Sequence, residues 1–168
     1  MISADAIQLR VREIAEEISR DYQSLERPLI LLSVLKGSVC FATDLSRYLT
    51  VPVNFDYVAV SSYGAGTQSS GHVQLLKDLT MDVGGRDVLM VEDIIDTGLT
   101  TSFLFDHVQR HQPKSLKLCV LLNKEERRIT PVPIAYKGFD IPNHFVVGYG
   151  LDYDELYRNL TAVHILGP

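Results

Sequence analysis

Three short apolar runs set the architecture of this chain: "PLILLSVL" at 28 to 35, "DVLMVE" at 87 to 92 and "KSLKLCVLLNK" at 114 to 124. Each is shorter than an ordinary helix and is bounded by turn or polar residues. Each therefore reads as a strand buried on both faces, the pattern of a parallel sheet covered by helices. Between them lie segments of helical period. Ile7, Val11, Ile14 and Ile18 predict an amphipathic helix over roughly 4 to 23, "SVCFATDLSRYL" a second over 38 to 49, and Phe103, Leu104 and Val108 the apolar face of a third. "VPVNFDYVAVSSY", "FVVGYG" (145 to 150) and "AVHIL" supply further extended segments. Strands alternating with helices predict an α/β fold with a mainly parallel, twisted sheet flanked by helices.

The chain has 168 residues, of which 46% are hydrophobic, and shows no repeat or linker, so a single domain over 1 to 168 is expected. Cys40 and Cys119 sit inside apolar runs and read as buried free thiols of a reducing compartment, which makes a cytoplasmic location the expectation. No apolar run approaches the roughly 20 residues of a membrane-spanning helix, and the N-terminal segment lacks a signal-peptide core. A net charge of −5 weighs against nucleic acid as a partner, because such binding needs Lys and Arg to neutralise phosphates.

In open parallel sheets ligands bind beyond the carboxyl ends of the strands. Lys36-Gly37, Glu92-Asp93, Asn123-Lys124 and Asp152 all fall at or just past such ends. Loops are polar in any protein, but four such groups around an acid cluster favour a site. In "VEDIIDTGLTTS", the Thr97-Gly98-Leu99-Thr100-Thr101-Ser102 stretch lies between a strand and a helix, where free N–H groups, hydroxyls and the helix dipole form an anion cradle. It is neither a P-loop nor a dinucleotide fingerprint, since it holds one glycine. Glu92 and Asp93 cannot hold a phosphate, so they call for a hydrogen-bond donor such as a diol, or for a divalent cation. Phosphate at one end and hydroxyls at the other describe a sugar phosphate. Asp96, between them, is placed to accept a proton or to stabilise positive charge at the reacting carbon. The bland alternative makes Asp96 and Thr97 N-cap residues with the acids facing solvent.

"VLMVEDIIDTGLT" resembles the phosphoribosyl-diphosphate motif of type I phosphoribosyltransferases. Together with "LKGS" (35 to 38), "SSYGAGTQSSG" (61 to 71), "LLNK" (121 to 124) and "FVVGYGLDYDELYRNL" (145 to 160), the chain resembles their hypoxanthine-guanine branch from about Leu31 to Leu166. The resemblance implies that fold, with a small hood formed by the terminal segments. It also implies salvage of hypoxanthine or guanine with 5-phosphoribosyl 1-diphosphate as donor. Glu92 and Asp93 would hold the ribose hydroxyls, and Asp96, Thr97, Gly98, Leu99 and Thr100 the 5-phosphate. Lys36, Gly37 and Arg158 would meet the pyrophosphate, with Ser62 and Tyr63 on a lid formed by 61 to 71. Magnesium would be the cofactor, held at Glu92, Asp93 and Asp152. Lys124 would donate to the purine 6-oxygen, Phe145 would stack on the ring, and the Val146 backbone would read its edge beside Asp152. Asp96 would be catalytic, and a homodimer or homotetramer is the expected assembly.

Leu99, at an often basic position, and His144, where Lys is common, depart from the family pattern and bear on affinity and base preference. A branch favouring xanthine, and regulators that sense the donor and bind nucleic acid, remain alternatives. The other conspicuous residues take a plainer reading. Tyr57, Tyr136 and Tyr149 are expected to pack on strands, the five histidines to lie at the surface or strand ends, and "KEERR" (124 to 128) to be a solvated turn apart from Lys124.

Overall fold

The computed structural model describes residues 1–62 and 73–167. Its order is α1 (Ala4–Asp21), β1 (Leu29–Leu35), α2 (Val39–Tyr48), β2 (Val53–Ser62), β3 (Val73–Lys77), β4 (Asp87–Ile95), α3 (Leu99–Gln109), β5 (Ser115–Asn123), a 3-10 turn (Glu125–Arg127), β6 (Ile134–Asp140), β7 (Val146–Val147) and β8 (His164–Ile165). The main sheet runs β3-β2-β1-β4-β5-β6, parallel throughout except for the antiparallel β2–β3 edge.

The apolar runs are continuous because both faces of the central strands are covered. Leu29, Leu31, Leu89, Val91, Cys119 and Leu121 turn to one side, where α1 and α2 bring Ile7, Val11, Ile14, Ile18, Phe41 and Leu45. Ile30, Leu32, Val88, Met90, Leu118 and Val120 turn to the other, against Leu104 and Val108 of α3. Each fully buried aliphatic side chain contributes about 1.5–3 kcal/mol, so these interleaved rows hold the three layers together. The chain leaves β1 toward one edge and β4 toward the other, so the strand order reverses between those neighbours. A ligand crevice is expected at that reversal.

Several expectations are corrected. β4 runs through Glu92 and Asp93 to Ile95 instead of ending at 92, since Ile95 is still buried. Phe103 is exposed, and Thr101 takes its place on the buried face of α3. "FVVGYG" does not join the main sheet. Only Val146–Val147 is a strand, paired antiparallel with β8, and Ile2 bridges Val163 beside it. The two terminal segments thus form the expected hood. β3 and β6, the sheet edges, were not foreseen. Tyr136 and Tyr149 are buried as expected, whereas Tyr57 is partly exposed and stacks on Phe55. Cys119 is buried and Cys40 only half so. His111, His144 and His164 are exposed, but His107 lies half-buried on α3 with Nε2 2.7 Å from Asp78 Oδ1. Among the described residues, no helix is long and apolar enough to cross a membrane.

Candidate active site

The reversal between β1 and β4 opens into a cleft of about 310 Å³ lined by Lys36, Gly37, Glu92, Asp93, Asp96, Thr97, Gly98, Thr100, Asp152 and Arg158. With Thr101, which also lines it, eleven of the residues singled out in the sequence share one cavity. Leu99, Lys124, Phe145 and Val146 are not among its lining. Tyr63 and the expected lid lie outside the described residues except at Ser61 and Ser62, which close β2.

The acid pair is held deep in the cleft. Glu92 is 5% exposed and accepts from the Thr101 hydroxyl at 3.5 Å. Burial, and then the neighbouring Asp93, push its carboxyl well above the usual range. Burial also raises Asp93, against the pull of the backbone N–H groups of Ile94 and Asp93. Two acids raised side by side favour a donor or a cation as their partner. The packing leaves Asp93 little freedom. A Cβ on Gly37 would collide with its carboxylate, and one on Gly150 would collide with the Gly37 carbonyl. The peptide bond between Leu35 and Lys36 is cis.

The anion cradle follows three residues on. Gly98 is the N-cap of α3 at φ 84°, and no side chain of the cap residue satisfies the first turn. Among the described residues, only Thr97 Oγ1 approaches, accepting from Leu99 N–H at 3.5 Å. The helix thus begins with unclaimed donors facing the cleft, which suits an anion. This geometry counts against the bland alternative for Asp96 and for Glu92, which is buried, although Thr97 keeps a weak capping contact. Asp96 caps nothing; its Oδ1 lies 2.8 Å from Arg127 Nε. Gly98 is required by its positive φ and because a Cβ would strike the Thr130 carbonyl. Gly98→Ala is therefore expected to destabilise the protein by about 1–3 kcal/mol, read as a lower urea midpoint.

"KEERR" is the expected turn, exposed at Glu125, Glu126 and Arg127, but its two arginines also reach the site. Arg127 pairs with Asp96, and Arg128 donates from Nε to the Asp96 carbonyl at 3.2 Å and from Nη2 to Asn123 Oδ1 at 2.5 Å. The N–H groups of Ile129 and Thr130 both donate to the Thr97 carbonyl, at 2.9 and 3.0 Å. The segment after β5 thus braces the cradle after β4. The signal available in the sequence was adjacency, since successive parallel strands place their C-terminal loops side by side.

Lys124 follows β5, is buried, and donates its N–H to the Ile95 carbonyl at 2.9 Å. Burial lowers the pKa of its ammonium, while Asp96 opposes the shift. Phe145 is 55% exposed and meets Tyr153 edge to face at 5.8 Å. Tyr153 was not foreseen. Leu166 N–H donates to the Phe145 carbonyl at 2.9 Å, so 145 and 166 face each other as a hydrogen-bonded pair. Val146 and Ile165 then form the next, non-hydrogen-bonded pair, and antiparallel alternation turns the Val146 N–H and C=O away from β8. Asp152 Oδ1 lies 2.8 Å from Arg158 Nη2, and its Oδ2 accepts from the Glu155 N–H at 2.9 Å. Arg158 also donates to the Gly150 carbonyl at 2.8 Å. Among the described residues, no three His, Cys, Asp or Glu side chains converge as a metal cage. Glu92, Asp93 and Asp152 share the cleft without forming one.

Residues 3–154 match the model of the phosphoribosyl transferase domain family. The hypoxanthine-guanine phosphoribosyltransferase of Mycobacterium tuberculosis is 51% identical over 172 aligned positions, covering 100% of this chain and 85% of that protein. A crystal structure of a hypoxanthine-guanine phosphoribosyltransferase from Bacillus anthracis superposes with a TM-score of 0.93 at 45% identity, over 99% of this chain and 97% of that one. The hypoxanthine phosphoribosyltransferase of Trypanosoma cruzi, solved in complex with the product IMP, gives 0.92 at 43% identity over 100% and 93% of the two chains. With the acid pair and the glycine-led helix assembled at the carboxyl end of central β4, the chain belongs to the phosphoribosyltransferase family, among the hypoxanthine-guanine phosphoribosyltransferases.

Proposed function

We propose that this protein transfers the 5-phosphoribosyl group of 5-phosphoribosyl 1-diphosphate to N9 of hypoxanthine or guanine, giving the nucleotide and pyrophosphate. One observation carries the reading: Glu92 and Asp93 share a single cleft with the uncapped start of α3, and Asp96 sits between them in the chain. A ribose 5-phosphate needs those two ends. The acids accept from its hydroxyls, and the cradle from Asp96 through Thr100 donates to its phosphate. Lys36, Gly37 and Arg158 take the pyrophosphate, with Ser62 and Tyr63 contributing from the lid.

At the carbon that changes partners, the bond to the pyrophosphate oxygen breaks and its electron pair leaves with that group. The sugar gains oxocarbenium character, the purine nitrogen forms the new bond, and its proton passes to Asp96. Arg127 pairs with Oδ1 of Asp96, and the second carboxylate oxygen takes the proton. Lys124 donates to a 6-oxygen and has nothing to accept from a 6-amine, so the site selects 6-oxopurines. Phe145 stacks on the ring, and the outward Val146 backbone reads its edge.

The donor set fits magnesium. Carboxylate oxygens at Glu92, Asp93 and Asp152 are hard ligands, and an open arrangement suits a cation that binds one or two carboxylates and otherwise keeps waters and phosphate oxygens. When bound, magnesium neutralises charge on the leaving pyrophosphate. Residues 1 to 168 act as a single domain, in the cytoplasm, as a homodimer or homotetramer. The acidic balance supports small molecules, not nucleic acid, as partners.

The test is turnover of the donor with hypoxanthine, guanine, xanthine and adenine supplied separately, with and without a chelator. Nucleotide is expected from hypoxanthine or guanine, not from adenine, and only with the divalent ion. Donor binding without turnover of any base would replace the enzyme with a sensor, and turnover of xanthine alone would reassign the base.

A further inference from the structure

Glu155 places one carboxylate oxygen on each of two cations at the mouth of the cleft. Its Oε2 lies 3.0 Å from Lys36 Nζ, and its Oε1 lies 3.4 Å from Arg158 Nη2. The two basic groups come from the ends of different segments, the turn after β1 and the loop after β7. They are also the two cations assigned above to the pyrophosphate, and the inference rests on that reading. A diphosphate presents the same pattern to them, anionic oxygens reaching both at once.

We propose that Glu155 is an internal stand-in for the diphosphate, occupying Lys36 and Arg158 in the free enzyme, expelled when the donor binds and returning as pyrophosphate leaves. Three features make it displaceable. The pair with Lys36 is exposed, at 66% and 64% for the two side chains, and exposed ion pairs are weak and screened by salt. Release needs no backbone change, since the Glu155 N–H stays on Asp152 Oδ2 at 2.9 Å and the exposed side chain can swing out by rotation about its own bonds. Arg158 does not depend on Glu155 for its position. Asp152 Oδ1 holds it at 2.8 Å and the Gly150 carbonyl accepts from its Nη1 at 2.8 Å, so its guanidinium stays at the cleft when Glu155 swings out.

The function that follows is control of affinity at both ends of the reaction. An incoming diphosphate must compete with a carboxylate already in place, which weakens its binding. After transfer the same carboxylate competes with the product pyrophosphate and helps it leave. A residue with a merely structural role in the loop would, on removal, loosen the site and weaken anion binding. A stand-in does the opposite.

The experiment measures binding of inorganic pyrophosphate by calorimetry at fixed excess magnesium, for the wild-type protein, Glu155→Gln and Lys36→Gln. The glutamine is isosteric and lies at an exposed position, so folding is preserved. The expected result is a dissociation constant for Glu155→Gln about three- to tenfold lower than wild type, with the difference shrinking as ionic strength rises. Lys36→Gln is expected to bind more weakly. Unchanged or weaker binding by Glu155→Gln, with Lys36→Gln weakened, overturns the stand-in and leaves the functional reading intact. Binding undiminished in Lys36→Gln removes the pyrophosphate assignment itself, and the stand-in with it.

Discussion

Asp96→Asn is expected to lower kcat by about 10²- to 10⁴-fold, the range associated with loss of a positioned general base. Asparagine matches aspartate in shape and still accepts a hydrogen bond, but it cannot take a proton. The backbone around it is secured independently of the side chain. Arg128 donates to the Asp96 carbonyl, and Thr97 accepts from the N–H groups of Ile129 and Thr130. The cradle therefore keeps its form, and KM for the donor should stay within a few-fold. Steady-state kinetics with both substrates varied checks this. A fall in kcat of less than about tenfold would deny Asp96 the proton and leave it a positioning part, since the loss would lie below the usual range for general bases.

Asp56→Leu is expected to destabilise the fold by about 3–5 kcal/mol, a large part of the roughly 5–15 kcal/mol available to a domain. Asp56 is 2% exposed and accepts from the Tyr57, Thr80 and Met81 N–H groups and from the Thr80 hydroxyl, all between 2.7 and 2.9 Å. Leucine fills much the same space but leaves those part-buried donors without their acceptor, at a cost of up to about 1–3 kcal/mol each where water does not reach them. Burial pushes the Asp56 carboxyl up, while the Thr80 hydroxyl and the three N–H groups pull it down, and the net shift is downward. A carboxyl lowered in the folded state stabilises fully above the ordinary aspartate value of about 3.9 and loses that contribution as pH falls through the depressed native one. Urea unfolding across that acid range should show a smaller loss in Asp56→Leu than in the wild type, the remainder coming from other lowered carboxyls such as Asp21 and Asp140. An unchanged midpoint in the variant would mean that neighbouring water takes over the donors.

What could be read from the sequence followed the depth at which each strand lies. β1, β4 and β5 are central and covered on both faces, so their residues are apolar without interruption and stand out. β3, "VQLLK", and β6, "IAYKGFD", are edges, with exposed and charged positions that dilute the pattern. β4 was read too short because Glu92 and Asp93 look like the end of a strand, although the ladder with β5 continues to Ile95. The cleft was legible because its acids, glycine and hydroxyls are contiguous in the chain. Arg127 and Glu155 were not, since each acquires its partner only through folding. Arg127 meets Asp96 across adjacent loops, and Glu155 meets Lys36 from 119 positions away. Charged residues in a loop carry no mark of such distant pairing.

The brace between the two loops also bears on how this protein can vary. Ile129 is 71% exposed, and its side chain is free to be replaced, yet its amide is spent on Thr97 together with that of Thr130. The span from Lys124 to Thr130 is thereby permissive at Ile129 and fixed in length, while Arg127 and Arg128 are held to their partners by their side chains. An inserted residue there would leave Lys124 where the strand puts it and drag the cradle out of step. Drift among descendants of this chain should accumulate at Ile129 as substitutions and leave the spacing untouched.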